Sequence, residues 1–297
     1  MTAASGLSSA ADPLLGPSGR RNAAHVARTA VAALVGELET WPKPGLVSHV
    51  DSGSHIDMTA ATFRTSAAAI GPFFAELVIA GAAGAPMDGL RAIGVAAEQA
   101  MLAATDGVNT HRGAIFGLGL LCAAAGAACG DAGCDAPDWR PGALCGTVRT
   151  RWGRSIVRGP IPLRSHGADA LRQYGAGGAR AQAAAGFPHA YDIGLPALRL
   201  GRTLAPGDPE AARIQAFFAL LASTEDTNLL HRGGADGLHY AQTAAAGFLA
   251  SGGIAQPDWR KAATKIHHAF IDRRLSPGGC ADLLAITLFL DALETHP

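Results

Sequence analysis

The sequence predicts an all-α fold, one large domain of roughly ten helices, and three observations carry that prediction. Apolar residues recur at three- and four-residue spacing, as in Val26, Ala30, Ala33, Leu34 and Leu38, or Leu90, Ile93, Ala97, Met101 and Leu102. That is the period of one buried helix face. No stretch has the alternating pattern of a half-buried strand. The polar residues with chemical potential collect where one periodic segment ends and the next begins.

The composition limits what such a domain can do. Of 297 residues, 48% are hydrophobic and 16% charged, enough apolar material for a large core. Formal net charge is zero, so no global field draws the chain to nucleic acid or an anionic membrane, and neither is expected as a partner. Five cysteines, Cys122, Cys129, Cys134, Cys145 and Cys280, form no C-x-x-C pair and read as small apolar residues in a reducing compartment. Gly, Pro and charged residues interrupt every apolar run, and the first residues lack the basic-then-apolar pattern of a signal peptide. The expected location is cytoplasmic.

In chain order, residues 1–20 read as a mobile tail and 21–297 as the helical catalytic domain. A helix is expected from Asn22, ending before Trp41-Pro42-Lys43-Pro44-Gly45, where two prolines and a glycine exclude regular helix. The loop that follows carries Ser52, Gly53 and two His-x-Asp pairs, His49/Asp51 and His55/Asp57. That spacing suits a metal or a His-carboxylate hydrogen bond. The plainer alternative is that Asp57 or Thr59 caps the next helix and the histidines face solvent.

Helices are predicted from Thr59 to about Ala83, kinked or divided at Pro72, and from Asp88 to Ala104. Asn109-Thr110-His111-Arg112-Gly113 then lies at a helix start, a setting that suits phosphate. A segment from Asp138 to Arg158 puts Arg151, Arg154 and Arg158 on one face, usually a solvated arrangement. Gly175-Ala-Gly-Gly178 follows no strand and is no dinucleotide fingerprint. Helices at His189–Thr203 and Pro209–Ser223 deliver the chain to Thr224-Glu225-Asp226-Thr-Asn228-Leu-Leu-His231-Arg232-Gly233-Gly234.

This last stretch concentrates two carboxylates, an amide, an imidazole and a guanidinium in a chain otherwise rich in Ala, Leu and Gly. Such a set is costly to place unless every group finds a partner. Residues 105–113 echo its order of acid, Asn, His-Arg-Gly, with one residue between Asn and His where the later copy has two. The two copies are expected to face a common cleft. Further helices are read at Asp236–Ala250 and from Pro257 to Arg274. Ser276 is read as the N-cap of the last helix and Pro277 as its first residue. Gly278 and Gly279, unfavourable inside a helix start, suggest close approach of a ligand to backbone.

From the residues alone, the inventory is that of an anionic ligand with Mg²⁺. Arg112 and Arg232 serve as phosphate clamps, Lys43 as a point charge, and Glu225 and Asp226 as ligands of a hard cation.

Five blocks, Pro42-Lys-Pro-Gly45-Leu-Val, Asp51-Ser-Gly-Ser-His-Ile-Asp-Met, Gly107-Val-Asn-Thr-His-Arg-Gly-Ala, Glu225-Asp-Thr-Asn-Leu-Leu-His-Arg-Gly-Gly and Leu275-Ser-Pro-Gly-Gly-Cys-Ala-Asp-Leu-Leu, stand in order. Together they resemble the triphosphoribosyl-dephospho-CoA synthase family. The match spans about residues 31–293, with Cys280 where the family has serine. Trp41-Pro42 and Ser48-His49 look more like the malonate decarboxylase branch than the citrate lyase branch.

The resemblance implies an all-helical pentosyltransferase. ATP would give its triphosphoribosyl group to the ribose 2′-hydroxyl of 3′-dephospho-CoA, releasing adenine, and the product would pass to the attachment system of the decarboxylase acyl-carrier subunit. Under it, Glu225 and Asp226 divide Mg²⁺ binding and charge stabilisation, and Asp51, His55 or Asp57 is the base. His111 and His231 bond phosphate or protonate adenine. Lys43, Arg112 and Arg232 hold the triphosphate, with backbone N–H groups of Gly113, Gly233, Gly234, Gly278 and Gly279. Gly45, Ser52, Gly53, Asn109, Thr110, Asn228 and Ser276 complete the substrate-binding set. The rival readings are a metal-dependent nucleotide phosphohydrolase, a non-catalytic helical scaffold, and the same transferase serving citrate lyase. Oligomeric state stays open, a homodimer included.

Overall fold

The computed structural model describes residues 16–132, 137–160 and 166–295, and among these there is no strand. The helices are α1 (Pro17–Leu38), α2 (Ala60–Ala82), α3 (Met87–Ala104), α4 (Arg112–Ala132), α5 (Pro141–Thr147), α6 (Gly153–Arg158), α7 (His166–Tyr174), α8 (Gly178–Ala185), α9 (Leu195–Leu204), α10 (Pro209–Ser223), α11 (Thr227–Ala250), α12 (Trp259–Asp272) and α13 (Gly278–Thr295). The all-α expectation holds. π-helical turns at Val148–Trp152 and His189–Gly194 lead into α6 and α9, so the helix expected over Asp138–Arg158 is a continuous helical run from Pro141 to Arg158 with a π turn in its middle.

Several boundaries differ from the sequence reading. α1 begins at Pro17, because proline at the first helical position needs no N–H partner. The tail expected over residues 1–20 therefore reaches at most position 16, and residues 1–15 lie outside the described residues, as does Cys134. α2 runs unbroken through Pro72. Thr59 caps α2 in a reciprocal capping box with Thr62, as the plainer reading had it.

The core centres on α4. Its small residues let backbones approach closely: a Cβ on Gly81 of α2 would collide with the Ala123 carbonyl, and one on Gly126 with the Val78 carbonyl. α2 and α4 are each long and apolar enough to cross a membrane, which the sequence reading had excluded. The α4 window is 78% buried inside the protein, the α2 window 39%. α1, α2 and α3 pack around α4 on one side, while α13 joins α1 and α4 to α10. Phe217, Phe218, Phe270, Phe289, Leu118 and Leu284 fill the interior.

Candidate active site

The loop after α1 is held by residues more than two hundred positions away. Gly45 adopts φ 67°, and a Cβ there would collide with the Leu275 carbonyl. Gly53, at φ 55°, brings a would-be Cβ to 2.6 Å from the Gly45 carbonyl oxygen. Only glycine fits both demands at these two positions. Ser54 Oγ donates to Leu275 O at 2.6 Å, and the Ser54 N–H donates to Gly45 O at 3.0 Å.

Asp51 braces this loop. Its Oδ1 accepts the Gly53 N–H at 2.8 Å and its Oδ2 accepts Trp41 Nε1–H at 3.2 Å. His267, buried on α12, donates from Nδ1 to Lys43 O at 2.7 Å; its Nε2 sits 3.2 Å from Asp51 Oδ1, off the line of a hydrogen bond. The carboxylate therefore faces His267, and the expected His49/Asp51 pair does not form. His49 is exposed, because Ser48 Oγ takes the Val50 N–H and the turn directs residue 49 outwards.

The second pair does meet: His55 Nδ1 lies 3.6 Å from Asp57 Oδ1. Arg232 Nη2 donates to the same Nδ1 at 3.3 Å, which leaves the His55 proton on Nε2, facing Ser276 Oγ at 2.8 Å. Burial and the Arg232 charge lower the His55 pKa, consistent with a neutral ring. α13 starts at Gly278, and Ser276 spends its hydroxyl on His55 instead of on the helix N-terminus as the sequence suggested.

Lys43 corrects a second expectation. Its ammonium is completely buried, donates to Glu37 O at 2.6 Å and is paired with the Glu37 carboxylate. Burial lowers the lysine and raises the glutamate, and their mutual attraction opposes both shifts. A charge so enclosed does not reach a triphosphate; removing either partner would cost about 3–5 kcal/mol.

Asp226 is the buried N-cap of α11. It accepts the N–H groups of Asn228 at 2.8 Å and Leu229 at 3.1 Å, and its Oδ2 accepts Cys280 N–H of α13 at 2.8 Å. One carboxylate thus ties the starts of two helices. Burial raises its pKa, with the three N–H donors pulling it back. A Cβ on Gly279 would lie 3.0 Å from Asp226 Oδ2, and one on Gly278 would lie 2.8 Å from Asn228 Nδ2. These glycines admit neighbouring side chains, where the sequence reading had a ligand approaching backbone. Glu225 is exposed beside them.

α11 runs through the whole Asn228–Gly234 stretch and breaks its helical geometry at Gly234 (φ 63°, ψ −163°). The kink divides α11 into two helical segments, so the helix expected over Asp236–Ala250 is the second of them and Thr227 opens a first one that the sequence reading lacks. Arg232 Nη1 donates to Arg274 O at 3.1 Å, and the guanidinium stays partly open to solvent between loop and helix. His231 is exposed.

The echo at the start of α4 places its side chains differently. Asn109 Oδ1 accepts the Arg112 N–H at 3.2 Å, and the exposed Arg112 guanidinium pairs with half-buried Glu98 at 3.0 Å. His111 is buried, its Nδ1 2.7 Å from Ser66 Oγ, which also accepts Thr110 Oγ1–H at 2.7 Å. Desolvation, helped by the Lys43 charge, lowers the His111 pKa to about 3. At neutral pH it has no proton to give adenine, against the sequence expectation. Arg149, Arg151, Arg154 and Arg158 are exposed, the solvated face expected.

Three residues that the sequence reading left out of the site belong to it: Glu37, His267 and Asp282. Asp282, in the first turns of α13, is mostly enclosed with a fraction open to solvent. A Cβ on Gly113 would collide with its Oδ2. Burial and the nearby Glu37 and Asp226 carboxylates push its pKa well above the usual range, while the Ala114 N–H pulls it down. An acid inside the apolar run after Gly278-Gly279 was the available signal for Asp282. His267 and Glu37 sit on amphipathic helices and read as ordinary surface polar residues. Among the described residues no group of three or more His, Cys, Asp or Glu could hold a metal ion. An open apolar groove of about 550 Å³ along α1, at Ala27, Val31, Val35 and Gly71, is lined by none of these residues.

Residues 23–297 match the family model described as ATP:dephospho-CoA triphosphoribosyl transferase. A 2-(5''-triphosphoribosyl)-3'-dephosphocoenzyme-A synthase of Pectobacterium atrosepticum is 42% identical over 271 residues, 87% of this chain and 85% of that one. Proteins named as probable synthases of the same kind are similar too. That of Pseudomonas fluorescens is 40% identical over 92% of both chains, and that of Acinetobacter calcoaceticus 38% identical over 88% of both. No solved structure matches the chain.

Proposed function

The chain belongs to the ATP:dephospho-CoA triphosphoribosyl transferase family, and on that premise we propose that it moves the 5-triphosphoribosyl group of ATP to the ribose 2′-hydroxyl of 3′-dephospho-CoA, releasing adenine. The observation that carries the reading is the meeting of all five motif blocks, drawn from residues 42 to 284, around Leu275–Asp282. We further propose the malonate decarboxylase branch, on Trp41-Pro42 and Ser48-His49, with the product destined for that enzyme's acyl-carrier subunit.

The starts of α4 and α11 both lie against the first turns of α13; their first N–H groups are taken by Asn109, Asp282 and Asp226, and what they offer a triphosphate is the partial positive charge of two helix N-termini. Arg232 is the guanidinium best placed to clamp it, since it already spans the loop and α11. Asp226 spends its oxygens on three backbone N–H groups, so the carboxylate offered to a metal is Glu225. That fits Mg²⁺, which binds through one or two carboxylates together with substrate phosphates, and it would supply charge neutralisation on the triphosphate. The bond that breaks joins the ribose C1′ to adenine, so the phosphate contacts act as handles and the enclosed carboxylates stabilise an oxocarbenium-like centre.

Incubation with ATP, Mg²⁺ and 3′-dephospho-CoA should yield free adenine and a product whose mass is that of the two substrates less adenine. Phosphate release without dephospho-CoA, and no adenine, would instead favour the phosphohydrolase.

A further inference from the structure

The acids and imidazoles that the sequence offers as base are occupied or turned outwards. Asp51 holds the Gly53 N–H and Trp41 Nε1–H and faces His267. His55 has both ring nitrogens engaged, by Ser276 and Arg232. Asp57 is 56% exposed on the rim, and Asp226 is closed off under three N–H donors.

Asp282 differs from all four. No ion pair or side-chain hydrogen bond holds it among the described residues, and part of it is open to solvent. Its Oδ2 packs where a side chain at position 113 would otherwise stand, at the start of α4. It therefore sits where the starts of α4, α11 and α13 meet, held by the Ala114 N–H and by no ion pair among the described residues. Resting on the transferase reading above, we propose that Asp282 is the general base, taking the proton of the dephospho-CoA ribose 2′-hydroxyl as that oxygen attacks C1′ of ATP.

The step balances. The O–H bond breaks towards Asp282, the O2′–C1′ bond forms, and the C1′–N bond breaks with its electron pair leaving on adenine. Adenine takes a proton from water, and Asp282 later returns its own to water. The groups facing Asp282 raise its affinity for a proton, as a base requires. Glu37 on α1, itself paired with Lys43, and Asp226 at α11 favour its protonated form. The Ala114 N–H on α4 opposes them, and Cys280 on its own helix is held neutral, its pKa raised well above the usual thiol range.

The test compares wild type with Asp282→Asn in adenine release with ATP, Mg²⁺ and dephospho-CoA. Expected is a kcat lower by about 10²–10⁴-fold, a KM for ATP within about threefold, and loss of the acid limb of the kcat–pH profile in the residual activity. A kcat within about threefold of wild type overturns the proposal, as does a retained acid limb, or ATP binding lost together with activity in calorimetry. Failure of the wild type to release adenine would overturn the transferase reading itself, a distinguishable result.

Discussion

The two Asn…His-Arg-Gly strings begin helices that meet at the foot of α13, yet their side chains do different work. In the second copy Asp226 caps α11 from a buried position, Asn228 packs against Gly278, and Arg232 turns to His55 and Arg274. In the first copy Asn109 caps, His111 is buried as a neutral ring, and Arg112 faces outwards to Glu98. The first string ends as its helix begins, at Arg112; the second lies inside its helix, which begins at Thr227. The extra residue between Asn and His adds about 100° of rotation on a helix. What repeats is therefore a backbone device, a helix start aimed at one place, and not a set of side-chain positions.

Paired substitutions test that contrast. The largest difference is expected between the caps: Asp226→Ala should cost about 3 kcal/mol, since it strands donors on two helices, and Asn109→Ala about 1 kcal/mol. Urea denaturation of the two variants measures this; equal losses would mean that the buried bridge to Cys280 contributes nothing.

Next come the arginines. Arg232→Ala should raise the KM for ATP about 30-fold, the worth of one or two charge-assisted bonds, while Arg112→Ala should stay within about threefold. Initial-rate kinetics decide it, and comparable damage from both would restore two symmetric phosphate clamps.

The last contrast concerns pH. His111, with its folded pKa lowered to about 3 from an ordinary 6.5, binds fewer protons folded than unfolded between those values. Its contribution to stability is full above pH 6.5 and declines as pH falls towards 3, by at most about 1.4 kcal/mol per unit. His111→Gln should flatten the stability–pH curve between pH 6 and 4, as urea midpoints measured across that window will check.

The helices were legible because apolar periodicity is local; Pro209–Ser223 was read to the residue. The motif blocks were legible as polar density at helix ends. Partnership was not, because it is set by residues far away in the chain. Lys43 looked like a free cation until Glu37 was seen beside it, and Gly278 looked like room for a ligand until Asn228 was found there. Asp282 reads in the sequence as any acid near a helix start, and only its three-dimensional enclosure distinguishes it.

The clasp between Ser54 and Leu275, like that between His55 and Ser276, joins residues 221 apart. At a translation rate of about 5–20 residues per second, the loop waits on the order of ten seconds or more for its holder to be made. A nascent chain carrying α1 to α11 lacks this clasp together with Phe270, Leu284 and Phe289 of the core. The last helices to be made therefore complete the hydrophobic interior and the candidate site in one step, because α12 and α13 supply residues to both.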